Sequence, residues 1–201
     1  GLGDVYKRQV VNRAQVKPLN SVVVMGTGGV GLNAIQAAAL VGAYPVIAVD
    51  ILDSKLKIAK TFGATHTVNS AKEKDPIKLV QQMTSGRGAD YVFVTVGSAA
   101  AFRQGFLMSS QRGMTVIIGL MPMKESISFT TFDFVMGERV VTGCGGGSPR
   151  LNIDVPHLVE LYWEGRLKLD ELITDRYPLK EINTAIESTE KGEALRNVIM
   201  F

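Results

Sequence analysis

The sequence predicts a doubly wound α/β fold, a parallel sheet with helices packed on both faces. Three observations predict it. Short runs such as Val22-Val23-Val24-Met25 and Val46-Ile47-Ala48-Val49 are continuously apolar rather than alternating, as strands covered on both sides are. Stretches of helical length separate these runs, and parallel strands need such crossovers. Gly26, Asp50 and Gly119 each end an apolar run, as expected where buried strands turn at the edge of a sheet.

The elements follow in order. Val30 to Val41 is Ala- and Leu-rich, apolar nearly all round, and predicts a well-covered helix. After the second strand, Asp53 or Ser54 is expected to cap a helix that runs through Leu56, Ile58, Ala59 and Phe62 to Gly63. His66 to Asn69 reads as a short strand. Pro76 opens a helix holding Ile77, Leu79, Val80 and Met83, with Gly86 beyond it. Tyr91 to Val96 is a strand, Ala100 to Ser109 a helix, and Met114 to Ile118 a strand.

The rhythm changes after Gly119. Ile127 to Thr130 predicts an edge strand and Arg139 to Thr142 the last strand of the sheet. Val155 to Glu164 and Leu179 to Lys191 predict helices, and Arg196 to Met200 a terminal strand. Two domains are expected, residues 10–145 for the sheet and 146–201 for an appended segment.

Bulk properties narrow the function. The 201 residues are 46% hydrophobic, enough for one substantial core. The net charge is +3, but the basic residues are scattered and not interleaved with aromatics, so no nucleic-acid partner is expected. No apolar run reaches the ~18 residues of a membrane span, and Gly1 to Gln9 carries charges where a signal peptide needs its apolar stretch. A cytoplasmic location is expected. Cys144 is the only cysteine, which excludes an intrachain disulfide framework. Cys144, His66 and His157 stand in no metal-ligand spacing, so neither a metal site nor a catalytic residue is predicted in this chain.

The chemistry lies at the first strand end. Gly26-Thr27-Gly28-Gly29-Val30-Gly31 has the form G-x-G-x-x-G. Gly26 permits the sharp turn out of the strand, Gly28 lets the main chain approach a pyrophosphate, and Gly31 lets the helix pack close to the sheet. The helix start then offers unpaired N–H groups and a positive dipole end to the phosphates. Methyltransferases use similar loops, so the loop alone decides little. The strand before it, the helix after it and the acid closing the second strand decide more. Asp50 stands where a carboxylate takes the ribose hydroxyls of NAD and repels a 2′-phosphate, as in a Rossmann fold. Lys55, one turn into the next helix, reads equally as a cofactor contact or a solvated lysine.

These residues resemble the zinc-dependent alcohol dehydrogenases of the medium-chain dehydrogenase/reductase superfamily, from about Val10 to Phe201. Ile47-Ala48-Val49-Asp50, Phe62-Gly63-Ala64-Thr65 and Gly88-Ala89-Asp90-Tyr91-Val92 also carry the resemblance. So does Leu167-Lys168-Leu169-Asp170-Glu171-Leu172-Ile173-Thr174, which is closest to the class that includes S-(hydroxymethyl)glutathione dehydrogenases. The resemblance implies that Val30 packs on the nicotinamide and that Asp50 and Lys55 hold the adenosine ribose. It also implies that the main chain at Ile118 and Gly119, and near Cys144 and Gly146, meets the carboxamide. Arg196 matches an arginine that reaches the pyrophosphate; a surface ion pair with Glu193 is the other reading.

The same resemblance places zinc, and a GroES-like domain that holds it, upstream of this chain. The expectation is a truncated chain, inactive alone, whose residues 1–9 are foreign to it. It implies an NAD-dependent oxidoreductase acting on an alcohol/aldehyde pair, assembled as a homodimer or tetramer by two-fold pairing along Ser126 to Thr131. A non-catalytic NAD-binding module is the alternative. A zinc-free quinone reductase of the same superfamily is another, which Asp50 disfavours because those enzymes usually take NADPH.

Overall fold

The computed structural model describes residues 9–145, 150–192 and 194–201. The chain divides into two units, Gly1–Arg150 and Leu151–Phe201. Among the described residues no helix is long and apolar enough to cross a membrane.

The first unit holds a six-stranded sheet. Its strands are β1 (Val22–Met25), β2 (Val46–Asp50), β3 (His66–Asn69), β4 (Ala89–Val94), β5 (Ser109–Ile117) and β6 (Val140–Gly143). Their order is β3-β2-β1-β4-β5-β6 and every pairing is parallel. The order reverses between β1 and β4, which leaves a crevice beyond the carboxyl ends of those strands. Helices α1 (Gly29–Leu40), α2 (Asp53–Thr61), α3 (Pro76–Met83) and α4 (Ala99–Met108) make the crossovers.

Burial explains the apolar runs. All four residues of β1 are buried, as are the first four of β2, because helices cover both faces. Val23, Met25, Ile47, Val49, Val92 and Phe102 lie in one core cluster. Full burial of a side chain of this size contributes about 1.5–3 kcal/mol. Helix α1 is buried from Gly31 to Ala38, as its composition predicts.

Several local expectations need correction. Neither Asp53 nor Ser54 caps α2. Leu52 holds the cap position without a side-chain bond, and Asp53 instead bonds Asn69 and Lys72 across to β3 and the turn after it. Strand β5 begins at Ser109, earlier than its apolar run, because Ala89 of β4 pairs with Ser109 across a register shift.

The largest correction concerns Ile127 to Thr130, which form no strand. Ile127 packs against the core cluster, and the Phe129 ring lies 4.4 Å from that of Phe106. The period-two face that suggested a strand is therefore spent on the chain's own core. Among the described residues β6 is the strand at that edge of the sheet. A further helix, α5 (Thr131–Gly137), follows at once, with the Thr130 hydroxyl accepting from Asp133 N at 3.3 Å. Thr130-x-x-Asp133 has the spacing of a capping box, and that was its sequence signal.

The second unit holds α6 (Leu151–Trp163), α7 (Ile182–Glu190) and a two-stranded parallel sheet of β7 (Asp175–Pro178) and β8 (Asn197–Met200). Strand β7 was not expected. The α6 helix starts a turn before the predicted Val155, so His157 lies within it rather than at its beginning. Helix α7 is preceded by a short 3-10 turn, Leu179–Glu181.

Candidate functional site

The carboxyl ends of β1, β2 and β4 meet at a cleft of about 380 Å³ lined by Met25, Gly26, Asp50, Ile51, Val96 and Gln104. It sits at the reversal of strand order, where open α/β sheets bind ligands. A larger cavity of about 660 Å³ lies at the other end of the strands, lined by Arg87, Asp90, Arg112 and Glu138 among others. Three of these four charged side chains are engaged with neighbours: Arg112 Nε donates to Glu138 Oε2 at 2.6 Å, and Asp90 accepts from Ser21 N and Oγ. The cleft at β1 is the candidate site.

The glycine turn is shaped by three different constraints. Gly26 has φ +87°, and an added Cβ would lie 2.5 Å from Val96 Cγ1. At Gly31 a Cβ would fall 1.8 Å from the Gly26 carbonyl oxygen. Gly28 differs: its φ is an ordinary −73°, and a Cβ there would meet nothing within 4 Å. No internal packing requires Gly28, so its bare backbone leaves room for a group from outside. Gly29 opens α1 and Val30 is half-buried on its first turn. That turn has no acidic residue and no side-chain cap, so its N–H groups suit an anion.

Asp50 closes β2 and is half-buried. Its Oδ2 accepts from Thr27 N at 2.7 Å and from Thr27 Oγ1 at 2.8 Å. Its Oδ1 accepts from Ile51 N at 2.8 Å and Leu52 N at 3.1 Å. A carboxylate with four donors is held in one orientation. Thr95, just after β4, braces the turn from the other side, donating from Oγ1 to Met25 O at 2.9 Å and Gly26 O at 3.0 Å. Lys55 is half-buried in the first turn of α2, the helix that follows Asp50.

The carboxyl end of β5 lies beside this group. Ile118 N and Gly119 N both donate to Val94 O, at 2.9 and 3.0 Å. A carboxamide could therefore meet the Ile118 carbonyl but not its N–H. Gly119 passes so close to β4 that a Cβ would fall 2.3 Å from Val96 C, which gives it a packing reason to be glycine. Cys144 is a buried free thiol whose N–H donates to Ile117 O at 2.9 Å. Gly146 and Glu193 lie outside the described residues. Arg196 belongs to the second unit, where its carbonyl accepts from Thr174 N at 2.8 Å.

The fold thus gathers Gly26, Gly28, Gly29, Val30, Gly31, Asp50 and Ile118 at one edge of the sheet, and Arg196 stands in a different unit. Sequence reasoning missed Thr27 and Thr95. Thr27 is the unspecified position of G-x-G, and nothing in the pattern marks it. Thr95 ends an apolar run, where a polar residue reads as an ordinary strand end.

Two cofactors bear on this site. A dinucleotide fits what is present: an open cradle at Gly28, an uncapped helix start, an oriented carboxylate and an apolar-walled cleft. For zinc, no group of three or more His, Cys, Asp or Glu among the described residues could hold a metal ion.

Comparison with known proteins agrees with this geometry. The chain is 33% identical over 198 residues to S-(hydroxymethyl)glutathione dehydrogenase of Paracoccus denitrificans, covering 96% of this chain and 52% of that protein. It is 36% identical over 200 residues to an alcohol dehydrogenase class-3 of Cereibacter sphaeroides, covering 96% and 53%. Among solved structures, benzyl alcohol dehydrogenase from Acinetobacter calcoaceticus superposes with a TM-score of 0.93 at 32% identity, covering 98% of this chain and 54% of that one. The chain spans about half the length of the curated relatives it matches. The zinc-binding dehydrogenase family matches residues 29–164, more than half of the chain. This chain belongs to the zinc-binding dehydrogenase family.

Proposed function

We propose that this chain is the NAD-binding portion of an alcohol dehydrogenase-like oxidoreductase that moves hydride between an alcohol/aldehyde pair and NAD. The observation that carries the proposal is Asp50, a carboxylate held by four donors at the mouth of a cleft beside an open glycine turn. A ribose diol donates to such an oxygen pair, whereas a 2′-phosphate meets it as like charge.

The chain's own residues bind and orient. The N–H groups at the start of α1 receive the pyrophosphate, and Gly28 lets it come close. Ile51 and Val96 offer apolar walls for the adenine. Val30, and the carbonyl of Ile118, face the nicotinamide end, while Lys55 supplies a cation for the ribose. The nicotinamide, when bound, supplies the hydride acceptor. Substrate activation by zinc has no ligand set among the described residues, and no step here runs through it.

Calorimetric titration of the chain with NAD and NADP tests the reading. NAD binds tighter by about tenfold or more, a difference of about 1.4 kcal/mol. Asp50→Ser narrows the gap. Equal or tighter binding of NADP by the unaltered chain refutes the assignment.

A further inference from the structure

We infer that Thr27, the unspecified residue of the glycine turn, is a positioning residue that sets cofactor preference through Asp50. The inference rests on the NAD-binding reading above and goes one residue beyond it. Thr27 is fully buried, yet its hydroxyl reaches no solvent and no helix carbonyl; it donates to Asp50 Oδ2 at 2.8 Å. Its N–H donates to the same oxygen at 2.7 Å.

The two carboxylate oxygens are held differently. Oδ1 is held by Ile51 N and Leu52 N, the main chain immediately following Asp50. Those bonds belong to the local turn and leave the carboxylate plane free to tilt. Oδ2 is held across the sheet, from the end of β2 to the turn after β1, and both of its donors come from Thr27. Thr27 is therefore the tether that fixes the plane of the carboxylate relative to Gly28 and the start of α1. A dinucleotide spans both places, with its ribose at Asp50 and its pyrophosphate at the helix start. Because Thr27 adjoins Gly28 in the chain and Asp50 in space, it holds the two subsites at one spacing. Such preorganisation lowers the ordering cost of binding.

The buried hydroxyl has a second effect. A carboxylate oxygen that loses a donor turns toward any other it can reach, and at this site that is solvent. The ribose diol then meets a misaligned acceptor, while a 2′-phosphate meets a charge that has moved away. Loss of the hydroxyl should therefore weaken NAD and leave NADP little changed.

Calorimetry with NAD and NADP on the full chain tests this. Thr27→Val, which keeps the shape and the N–H, weakens NAD by about fivefold to tenfold and shrinks the NAD-to-NADP ratio by a similar factor. Thr27→Ser, which keeps the hydroxyl, preserves the ratio within about twofold. Thr27→Ala places no methyl against the carboxylate and carries the same expectation as Val should the Val variant fail to fold. In an Asp50→Ala background, where Thr27 has no side-chain oxygen left to donate to, Thr27→Val costs no further NAD affinity, because its effect passes through the carboxylate. An unchanged ratio in both Val and Ala variants overturns the inference while leaving the NAD-binding reading intact. So does an undiminished Thr27→Val effect in the Asp50→Ala background. An unaltered chain that binds no NAD overturns both together.

Discussion

The β1–α1–β2 stretch and the segment from Gly119 to Gly137 both follow sheet strands, yet they are shaped by different forces. In the first, local sequence decides. Val22–Met25 can only be a buried strand, Gly26 can only turn, and Gly31 alone lets α1 descend past the Gly26 carbonyl. In the second, distant contacts decide. Ile127 and Phe129 alternate as strand residues do, but Phe106 and Phe134 take up Phe129 and the core takes up Ile127. A pattern is a reliable guide where the backbone has one conformation open to it, and a poor one where a side-chain face has two possible partners.

The strongest way to break the comparison is at Gly31. A Cβ 1.8 Å from a carbonyl oxygen cannot be accommodated without moving α1 off the sheet. Gly31→Ala should cost about 3 kcal/mol or more, which lowers the melting temperature by roughly 6–12 °C in a chain of this size. Gly28→Ala is the control within the same turn. Its Cβ meets open space at a permitted φ, so stability should change by less than about 0.5 kcal/mol, while NAD affinity falls about tenfold or more. Thermal melts and NAD titrations of the pair separate a glycine kept for folding from one kept for a ligand. Equal stability losses in the two variants contradict the distinction.

Phe129 probes the other region. It is half-buried, with rings at 4.4 Å (Phe106) and 5.6 Å (Phe134). Phe129→Ala should cost about 2 kcal/mol, below the range for a fully buried phenylalanine. The loss should be local. Hydrogen exchange should rise from Met121 to Gly137 and leave β1 and β2 protected. Exchange that rises equally in β1 would mean that the two regions unfold as one, and the contrast drawn here would be lost.

How much was legible follows from the same contrast. The central strands β1, β2 and β4 and the turn at Gly26 could be read because buried parallel strands and a left-handed glycine leave direct marks in sequence. Asp50 could be read because its spacing from the turn is fixed by one helix and one strand. Thr27 could not, since its role depends on a carboxylate 23 positions away whose direction only the folded sheet defines. Strand β7 was missed because Asp175-Arg176-Tyr177-Pro178 has no apolar run and is a strand only by pairing with β8. Helix α5 was missed because Phe132, Val135 and Met136 are exposed, so its apolar residues mark no buried face.

The smallest expected effect lies at the outer margin of the legible region. Asp53, in the first turn of α2, is held below its ordinary value of 3.8, chiefly by a hydrogen bond from Lys72 and then by one from Asn69. These bonds tie α2 to β3 and the turn after it. Because the folded value lies below the unfolded one, the pair stabilises the fold above about pH 4, and that stabilisation is lost as the pH falls through the folded value. The carboxyl is exposed, so water and salt screen the pair and the contribution is small. NMR titration of Asp53 should give a midpoint below 3.8. Lys72→Met should raise that midpoint more than Asn69→Ala does, in keeping with the order of the two causes. Any stability difference between the unaltered chain and Lys72→Met should shrink in high salt and vanish once Asp53 is protonated. A midpoint at or above 3.8 in the unaltered chain would show that α2 is not tied to β3 in this way, and that the β1–α1–β2 stretch stands on its packing and its glycines alone.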